Sequence, residues 1–281
     1  MVPFTTDDPT GWLRLVTPGI SARMGHVRHV LFDFDGTLSV LRQGWEEVMV
    51  PLMVEAICPN RLPAPEIEAE VRAYVDRSTG ILTIRQMEWL VNAVQRYNPA
   101  ETPISAADYK KIYLARLEQR IHGRRQAVEE GIEAPETCMV AGALDFVRVL
   151  AGRGVRLYLA SGSDHGDVAR EAAVLGLEPY FEGGIYGALD GEESHAKERV
   201  IQAILDDHHL SGSQLLVVGD GPVEIREAVS RQAIALGVAS DEVARSGWNP
   251  RKIDRLVSAG ADLMVADFSR AGQLAELLSG S

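Results

Sequence analysis

An apolar segment that ends in two closely spaced aspartates constrains the fold of this chain more than any other feature. Residues 29–32 read His-Val-Leu-Phe, and Asp33 and Asp35 follow, before a Gly-Thr pair. This pattern predicts a buried β-strand with charge at its carboxyl end, the edge where open α/β sheets bind ligands. Residues i and i+2 of an extended segment point to one side, so both carboxylates can face one site. They persist there if a cation is shared or if one keeps a proton.

Three further segments place polar residues at a strand end or a helix start. In each strand an apolar run stops at a small or charged residue, and in the helix a basic residue opens the pattern. The set is Ser161 and Gly162 after a strand over 155–160, Lys197 before a helix over 198–205, and Asp220 after a strand over 215–219, with Glu224 four residues further on.

The four segments, in this order, resemble the four motifs of the haloacid dehalogenase (HAD) superfamily of phosphohydrolases. The resemblance covers roughly residues 27 to 270. It implies an α/β fold, in which a Rossmann-like parallel sheet core carries an inserted α-helical cap domain. Strands alternate with helices after Gly142, as expected for a parallel sheet covered on both faces. In the last motif Glu224 stands where the family more often has aspartate.

The stretch between the first two motifs has helical periodicity. Apolar residues recur at three- and four-residue spacing, which predicts four amphipathic helices with a small core of their own. This stretch resembles the helical cap of the branch that contains phosphoglycolate phosphatase and β-phosphoglucomutase. The predicted division is a loosely tied extension over 1–26 with no assigned function, a core over 27–40 and 136–281, and a cap over 41–135.

The resemblance implies a role for each motif residue. Asp33 is the expected nucleophile, and an aspartyl-phosphate splits one hard step into two easier ones. Asp35 is the expected general acid and base, and its backbone carbonyl is expected to reach the metal. Ser161 and the amide of Gly162 are expected to bind phosphate oxygens at a helix amino terminus. Lys197 is expected to neutralise the charge shared by Asp33 and the phosphate.

Magnesium is the expected cofactor, because it takes oxygen ligands from carboxylates, carbonyls, water and phosphate. Asp33 and Asp220 are the expected side-chain ligands. Asp35 would add its carbonyl, and Glu224 would act directly or through water. Plainer interpretations exist, because Asp-Gly-Thr is common in turns and a glutamate favours a helix amino terminus.

The cap is expected to supply substrate contacts. The candidates are Arg42, just after the first motif, and Thr83, Arg85 and Gln86, in a cap turn that follows Gly80. A lid that excludes water suits a small substrate rather than a protein surface. The predicted function is therefore a Mg²⁺-dependent phosphatase acting on a small phosphorylated metabolite. A sugar phosphate is favoured by analogy.

Two alternatives stay open at this point. A phosphomutase of the β-phosphoglucomutase kind would return the phosphoryl group to a sugar, and it would require a bisphosphate activator. A non-catalytic binding module of the same fold would bind magnesium without releasing phosphate from any compound. All the reacting residues are present, which makes the binding module the weakest of the three hypotheses.

Charge and composition limit the classes of partner that we expect. The net charge of −12 argues against nucleic acid and anionic membranes as partners. No apolar run approaches the ~20 residues of a membrane span. Cys58 and Cys138 form no C-x-x-C pair, so neither a disulfide framework nor a zinc site is expected. We expect a cytoplasmic monomer or small homo-oligomer whose partner is a small phosphorylated metabolite.

Overall fold

One sheet organises the molecule. The computed structural model describes residues 11–59, 62–100, 102–189 and 197–280. Seven strands within these ranges form the sheet, in the spatial order β1-β7-β6-β5-β2-β3-β4. They are β1 (Leu13–Leu15), β2 (His29–Phe32), β3 (Arg156–Asp164), β4 (Ile185–Ala188), β5 (Leu215–Gly219), β6 (Ile234–Val238) and β7 (Leu263–Val265). Neighbouring strands are parallel, except that β1 runs antiparallel to β7.

Helices follow the strands and also fill the interval between β2 and β3. Those of the interval are α1 (Glu46–Ile57), α2 (Pro65–Arg77), α3 (Thr83–Tyr97) and α4 (Ala106–Glu129). Those that follow are α5 (Ala143–Gly152), α6 (His165–Val174), α7 (Lys197–Asp207), α8 (Pro222–Ser230), α9 (Pro250–Ala259) and α10 (Ala271–Ser279). No helix in the described part of the chain combines the length and hydropathy needed to cross a membrane.

The central strand β2 is apolar throughout because both of its faces are covered. Val30 and Phe32 enter one hydrophobic cluster, which also takes in residues of α5, α6 and α10. Leu31, on the opposite face, enters a second cluster with residues of α7, α8 and α9. Burial on both faces explains why a parallel strand reads as a continuous apolar run rather than an alternating one. The predicted α/β fold with a parallel core is thus confirmed.

The strand register brings the three motif-bearing strands to one edge. Phe32 of β2 lies opposite Leu159 of β3 and Val218 of β5. The backbone amide of Asp33 donates to the carbonyl of Val218 at 2.8 Å. The motif residues at the carboxyl ends of these three strands therefore lie side by side, at the edge predicted from sequence.

The predicted helical insertion is confirmed as α1–α4, which we call the cap helices. Ser105 caps the start of α4, and its hydroxyl accepts a hydrogen bond from the Asp108 amide at 3.1 Å. The cap helices enclose their own cluster, in which Met53, Met87 and Leu117 are buried. The domain boundaries drawn from sequence stay a prediction.

The two connections between the cap helices and the core lie beside each other. Ser39 on the way out forms an antiparallel bridge with Met139 on the way back. The amide of Val40 donates to the carbonyl of Cys138 at 2.8 Å, and the amide of Val140 donates to the carbonyl of Leu38 at 3.0 Å. The cap is therefore attached through a short two-stranded ribbon.

The prediction of a loosely tied amino-terminal extension is wrong for residues 11–26. Strand β1 pairs with β7, and Leu13 lies opposite Val265. Ile20 is only 1% exposed and belongs to the main core cluster. The sheet edge supplies unpaired backbone groups, and a three-residue strand satisfies them. The rest of the predicted extension lies outside the described residues.

The structure also differs from the sequence prediction between β3 and α9. Strand β3 continues to Asp164, because it pairs irregularly with β4, a strand that was not predicted from sequence. Ser161 and Gly162 therefore lie in the last residues of a strand, and α6 begins only at His165. Helix α9 was not predicted, although Asn249 caps it by accepting from two amides and Pro250 opens it.

Candidate active site

Three buried acids and one lysine form the centre of the site. The Nζ of Lys197, the first residue of α7, lies 2.6 Å from Oδ1 of Asp33 and 2.9 Å from Oε2 of Glu224. Asp33, Asp220 and Glu224 each offer a carboxylate oxygen, and these three oxygens lie within 4.8 Å of one another. The structure thus brings together four of the residues singled out from sequence.

Glu224 is held by two contacts besides its place among the acids. Its Oε1 accepts from the amide of Gly221 at 2.7 Å, which is the acid half of a capping arrangement at the start of α8. Its Oε2 accepts from Lys197. The glutamate is 1% exposed. Glu224 therefore caps the amino terminus of a helix, as a glutamate without a metal role could also do, and it lies in the acid cluster as well.

Asp220 is held by two cations from α9. The Nζ of Lys252 lies 2.7 Å from Oδ2 of Asp220, and a nitrogen of Arg255 lies 3.6 Å from the same oxygen. Arg255 also donates to the backbone carbonyl of Asp220 at 2.9 Å. Oδ1 of Asp220 is buried and has no hydrogen-bond partner among the described residues. A buried carboxylate oxygen without a protein partner calls for an explanation, and coordination of an ion is one such explanation.

The charges of this cluster shift its pKa values in opposite directions. Burial raises the pKa of Asp33 well above its usual range, and Glu224 and Asp220 raise it further against the opposing effect of Lys197. Burial alone would raise the pKa of Asp220 as well. The charges of Lys252 and Arg255 outweigh burial and lower the pKa of that carboxyl. Burial disfavours the charge of Lys197, yet Asp33 and Glu224 outweigh it and raise its pKa.

The acid cluster fits a magnesium ion. Its donors are carboxylate oxygens, the ligands that Mg²⁺ prefers. Oδ1 of Asp220 lacks a partner. Burial disfavours the charge of Asp33 and raises its pKa, and a bound cation would oppose that effect. Asp33, Asp220 and Glu224 are the side chains that would hold such an ion.

Asp35 lies apart from the acid cluster and has its own set of partners. Its Oδ2 accepts from the hydroxyls of Ser161 and Ser163, at 3.2 and 3.1 Å. Its Oδ1 lies 3.6 Å from Nε of Arg42 and has no hydrogen-bond partner among the described residues. Ser161 also accepts from the amide of Ser163 at 3.1 Å. One oxygen of Asp35 is thus fixed by two hydroxyls, and the other is buried beside Arg42 without a hydrogen bond.

Arg42, a candidate substrate contact, is bound by the core. Its Nε and one terminal nitrogen contact the carboxylate of Glu171 on α6, at 3.0 and 2.8 Å. The other terminal nitrogen donates to Ser163 at 2.8 Å. Burial opposes its charge, but Asp35 and Glu171 raise the pKa of Arg42. Each of the three guanidinium nitrogens therefore already contacts a core acceptor.

A small cavity lies over Asp33 and Asp35, between the core and the cap helices. Its volume is about 70 Å³. Arg42, Thr83 and Gln86 line it, as expected of the candidate substrate contacts. Gln86 is buried, and its amide donates to the hydroxyl of Ser78 at 3.1 Å.

Arg85, the remaining candidate, does not line this cavity. It is exposed and forms an ion pair with Glu88 at 2.9 Å. It lines an adjacent cavity of about 210 Å³, which also contacts Lys197 and Gly162. Gln86 points inward and its immediate neighbour on α3, Arg85, points outward, because consecutive helical residues point about 100° apart.

The cap turn that begins at Gly80 closes directly on the core. A Cβ added to Gly162 would lie 2.2 Å from the carbonyl oxygen of Ile81, so no side chain fits there. A Cβ added to Gly80, whose φ is +91°, would lie 2.7 Å from Oε2 of Glu224. These two glycines allow the backbone of the cap turn to reach the acid cluster and the end of β3.

Sequence reasoning missed four side chains that organise the site. Ser163 and Glu171 hold Arg42, and Lys252 and Arg255 hold Asp220. Ser163 directly follows the Ser161-Gly162 motif, whereas the sequence around the other three residues carries no motif. The Asn249-Pro250 pair, a common helix start, could have predicted α9 but not the direction in which its cations point.

Comparison with known proteins agrees with this fold. The sequence profile of the haloacid dehalogenase-like hydrolases matches residues 27–230, and the chain belongs to that family. A curated relative is a 5'-nucleotidase of Pseudomonas aeruginosa, 32% identical over 111 residues. That match spans 37% of this chain and 49% of the relative, so the chain covers about half of the relative's length.

Solved structures of similar fold cover nearly the whole chain. One is described as a predicted phosphoglycolate phosphatase from Haemophilus somnus, with a TM-score of 0.56, 17% identity and coverage of 89% of this chain and 98% of that one. Another is a β-phosphoglucomutase from Clostridium difficile, with a TM-score of 0.54, 13% identity and coverage of 87% and 92%. At these identities the likeness establishes the fold.

Proposed function

We propose that this hydrolase is a Mg²⁺-dependent phosphatase that hydrolyses a small phosphorylated metabolite through an aspartyl-phosphate. The observation that carries the proposal is the buried cluster of Asp33, Asp220 and Glu224 around Lys197. A carboxylate at the end of a central strand, beside a cation and further oxygen ligands, suits attack on phosphorus. Phosphoryl transfer requires an in-line nucleophile and neutralised phosphate oxygens.

The reaction we propose has two displacement steps. In the first, an oxygen of Asp33 bonds to phosphorus, the bond from phosphorus to the leaving oxygen breaks, and Asp35 gives that oxygen a proton. In the second, a water molecule loses a proton to Asp35 and attacks phosphorus. The bond to Asp33 then breaks, which releases inorganic phosphate and restores both aspartates. Oδ1 of Asp35 has no hydrogen-bond partner among the described residues, so it is the oxygen that we assign to both proton transfers.

The other motif residues neutralise and hold the phosphate. Lys197 carries its charge beside Asp33 and compensates the negative charge that the two groups share. Ser161 and the amide of Gly162 lie next to Asp35 and would bind phosphate oxygens. A bound Mg²⁺ would add charge neutralisation on the phosphate. The bridging hydroxyl of Ser161 must release Asp35 to reach the phosphate.

We further propose that the leaving group is a neutral, hydroxyl-bearing molecule, such as the sugar of a sugar phosphate. The support is the lining of the cavity above Asp35, where Thr83 and Gln86 offer neutral polar groups. Arg42 is the cation of that lining, and Glu171 and Ser163 already occupy its nitrogens. A carboxylate or a second phosphate would therefore lack a ready partner there.

The cavity volume implies that the cap opens for substrate to enter. A cavity of about 70 Å³ is far smaller than the roughly 300–1,000 Å³ of typical small-molecule pockets. Lids of this kind open and close on microsecond to millisecond timescales, and they exclude water when shut. We therefore treat the arrangement described here as the closed one.

The test is Mg²⁺-dependent phosphate release from sugar phosphates, phosphorylated acids and nucleoside monophosphates. We expect release from sugar phosphates, its loss with a chelator, and a fall of about 10³-fold or more in Asp33→Asn. Asp254→Asn is the matched control, because that aspartate is exposed on α9. Release that needs an added bisphosphate would instead indicate a mutase. Full activity of Asp33→Asn would refute the assigned nucleophile.

A further inference from the structure

Lys252 joins four separate elements at the edge of the acid cluster. It lies on α9 and is 6% exposed. Its Nζ lies 2.7 Å from Oδ2 of Asp220 at the end of β5, and 2.9 Å from Oε1 of Glu242 in the segment after β6. It also donates at 3.4 Å to the carbonyl of Gly36, next to Asp35. A buried ammonium has three protons, and each has an acceptor here.

The position of Gly36 adds to this arrangement. Its φ is +75°, and a Cβ there would lie 2.5 Å from Oδ2 of Asp220 and 3.1 Å from Oε1 of Glu242. The turn that carries the two catalytic aspartates therefore packs directly on the oxygens that Lys252 holds. A shift of the Lys252 ammonium would therefore displace both the carboxylate of Asp220 and this turn.

Lys252 fixes one oxygen of Asp220 and leaves the other free. Oδ2 accepts from the ammonium, whereas Oδ1 is buried without a hydrogen-bond partner among the described residues. A carboxylate with both oxygens free could rotate about its Cβ–Cγ bond. Groups that bond to the far side of a metal ligand restrict such rotation and commonly alter metal affinity 10- to 100-fold.

Neighbouring cations do not duplicate this contact. Arg255 donates to the backbone carbonyl of Asp220 and stays 3.6 Å from its side chain, too far for a hydrogen bond. Lys197 is bonded to Asp33 and Glu224. The side chain of Asp220 thus has Lys252 as its hydrogen-bonding partner in the described part of the chain.

We infer that Lys252 is a positioning residue for cation binding: it holds Oδ2 of Asp220, so that Oδ1 is presented to a divalent cation. This inference rests on the proposed magnesium-dependent function, and it concerns the orientation of one ligand. Glu242 balances the charge of Lys252, so the pair contributes orientation without changing the net charge of the site. Replacing Lys252 and Glu242 together therefore measures how much the orientation of Asp220 contributes to cation binding.

The experiment measures Mn²⁺ affinity, by electron paramagnetic resonance of the free ion and by calorimetry with Mg²⁺. The proteins are the full-length chain, Lys252→Met, Glu242→Gln and the double variant of these two changes. Thermal unfolding of each variant shows whether the fold is intact. The double variant keeps the net charge constant, because it removes one positive and one negative charge.

We expect the double variant to bind Mn²⁺ about 10- to 100-fold more weakly than the unmodified chain. Glu242→Gln should change the affinity by less than about fivefold, because that side chain is 21% exposed and Lys252 remains. Lys252→Met should fall between them, since the unpaired Glu242 attracts the cation. A folded double variant with unchanged or tighter binding would overturn the inference.

The result also separates this inference from the proposed function. If the unmodified chain binds neither Mn²⁺ nor Mg²⁺, the metal site itself is wrong, and the role of Lys252 falls with it. If the unmodified chain binds the cation and the folded double variant binds it equally well, only the role of Lys252 is wrong. An unfolded double variant would shift the test to Lys252→Met and to Lys252→Gln, where unchanged affinity has the same meaning.

Discussion

The core side and the cap side of the cavity are built from different kinds of groups. On the core side, Asp33, Lys197 and Asp220 are charged and buried, and each has at least one buried partner of opposite charge. On the cap side, Thr83 and Gln86 present neutral polar groups. Charges in a low-dielectric setting act strongly and need fixed partners, whereas neutral groups can change at little cost. The core is thus suited to a fixed reaction, and the cap to a choice of substrate.

The largest effect on turnover is expected when a core lysine is replaced, and a cap lysine provides the comparison. Lys197→Met should lower turnover about 10²- to 10³-fold, because it removes the charge beside Asp33. Lys110→Met, on α4, removes a cap lysine whose ion pair with Asp164 is partly exposed, and turnover should hold within about fivefold. Steady-state kinetics under saturating substrate gives both values. Equal losses in the two variants would contradict the division between core and cap.

An intermediate effect is expected from Arg42, at the start of the cap. Arg42→Met leaves the buried Glu171 without its partner, and should lower the free energy of unfolding by about 3–5 kcal/mol. Arg85→Met, also in the cap, should lower it by about 1 kcal/mol or less, because its pair with Glu88 is exposed. Denaturant unfolding measures both. A smaller loss for Arg42 than for Arg85 would show that Arg42 is free to serve the substrate.

The smallest effect is expected on KM, when a cap residue of the cavity lining is replaced. Thr83→Val removes a hydroxyl from the cavity lining, and should raise KM about two- to tenfold while kcat changes little. Thr137→Val is the control, because that exposed hydroxyl bonds a local carbonyl away from the cavity. A fall in kcat with constant KM would place Thr83 with the reacting groups instead.

Much of the fold was predictable because its signals are local. The strand that ends at Asp33 and the helix that begins at Ser105 each carry a pattern within a few residues. The register of parallel strands then brings the motif residues together without further information. The four cap helices were recognisable from their periodicity for the same reason.

The remaining features depend on contacts between distant parts of the chain. Strand β1 has three residues, and it forms because β7 offers an open edge. The contact between Lys252 and Asp220 joins residues from α9 and β5, and no spacing along the sequence encodes it. Arg42 was expected to meet the substrate, but whether an arginine is free depends on a residue such as Glu171, 129 positions away.

The paired connections between core and cap restrict how the lid can move. Two chain segments joined by hydrogen bonds, as near Ser39 and Met139, resist sliding past each other but bend and twist together. We therefore expect the cap to tilt about this ribbon as one body. Tilting would lift the Gly80 turn away from Glu224 and Gly162 in a single motion, so that the entrance and the ceiling of the cavity open together.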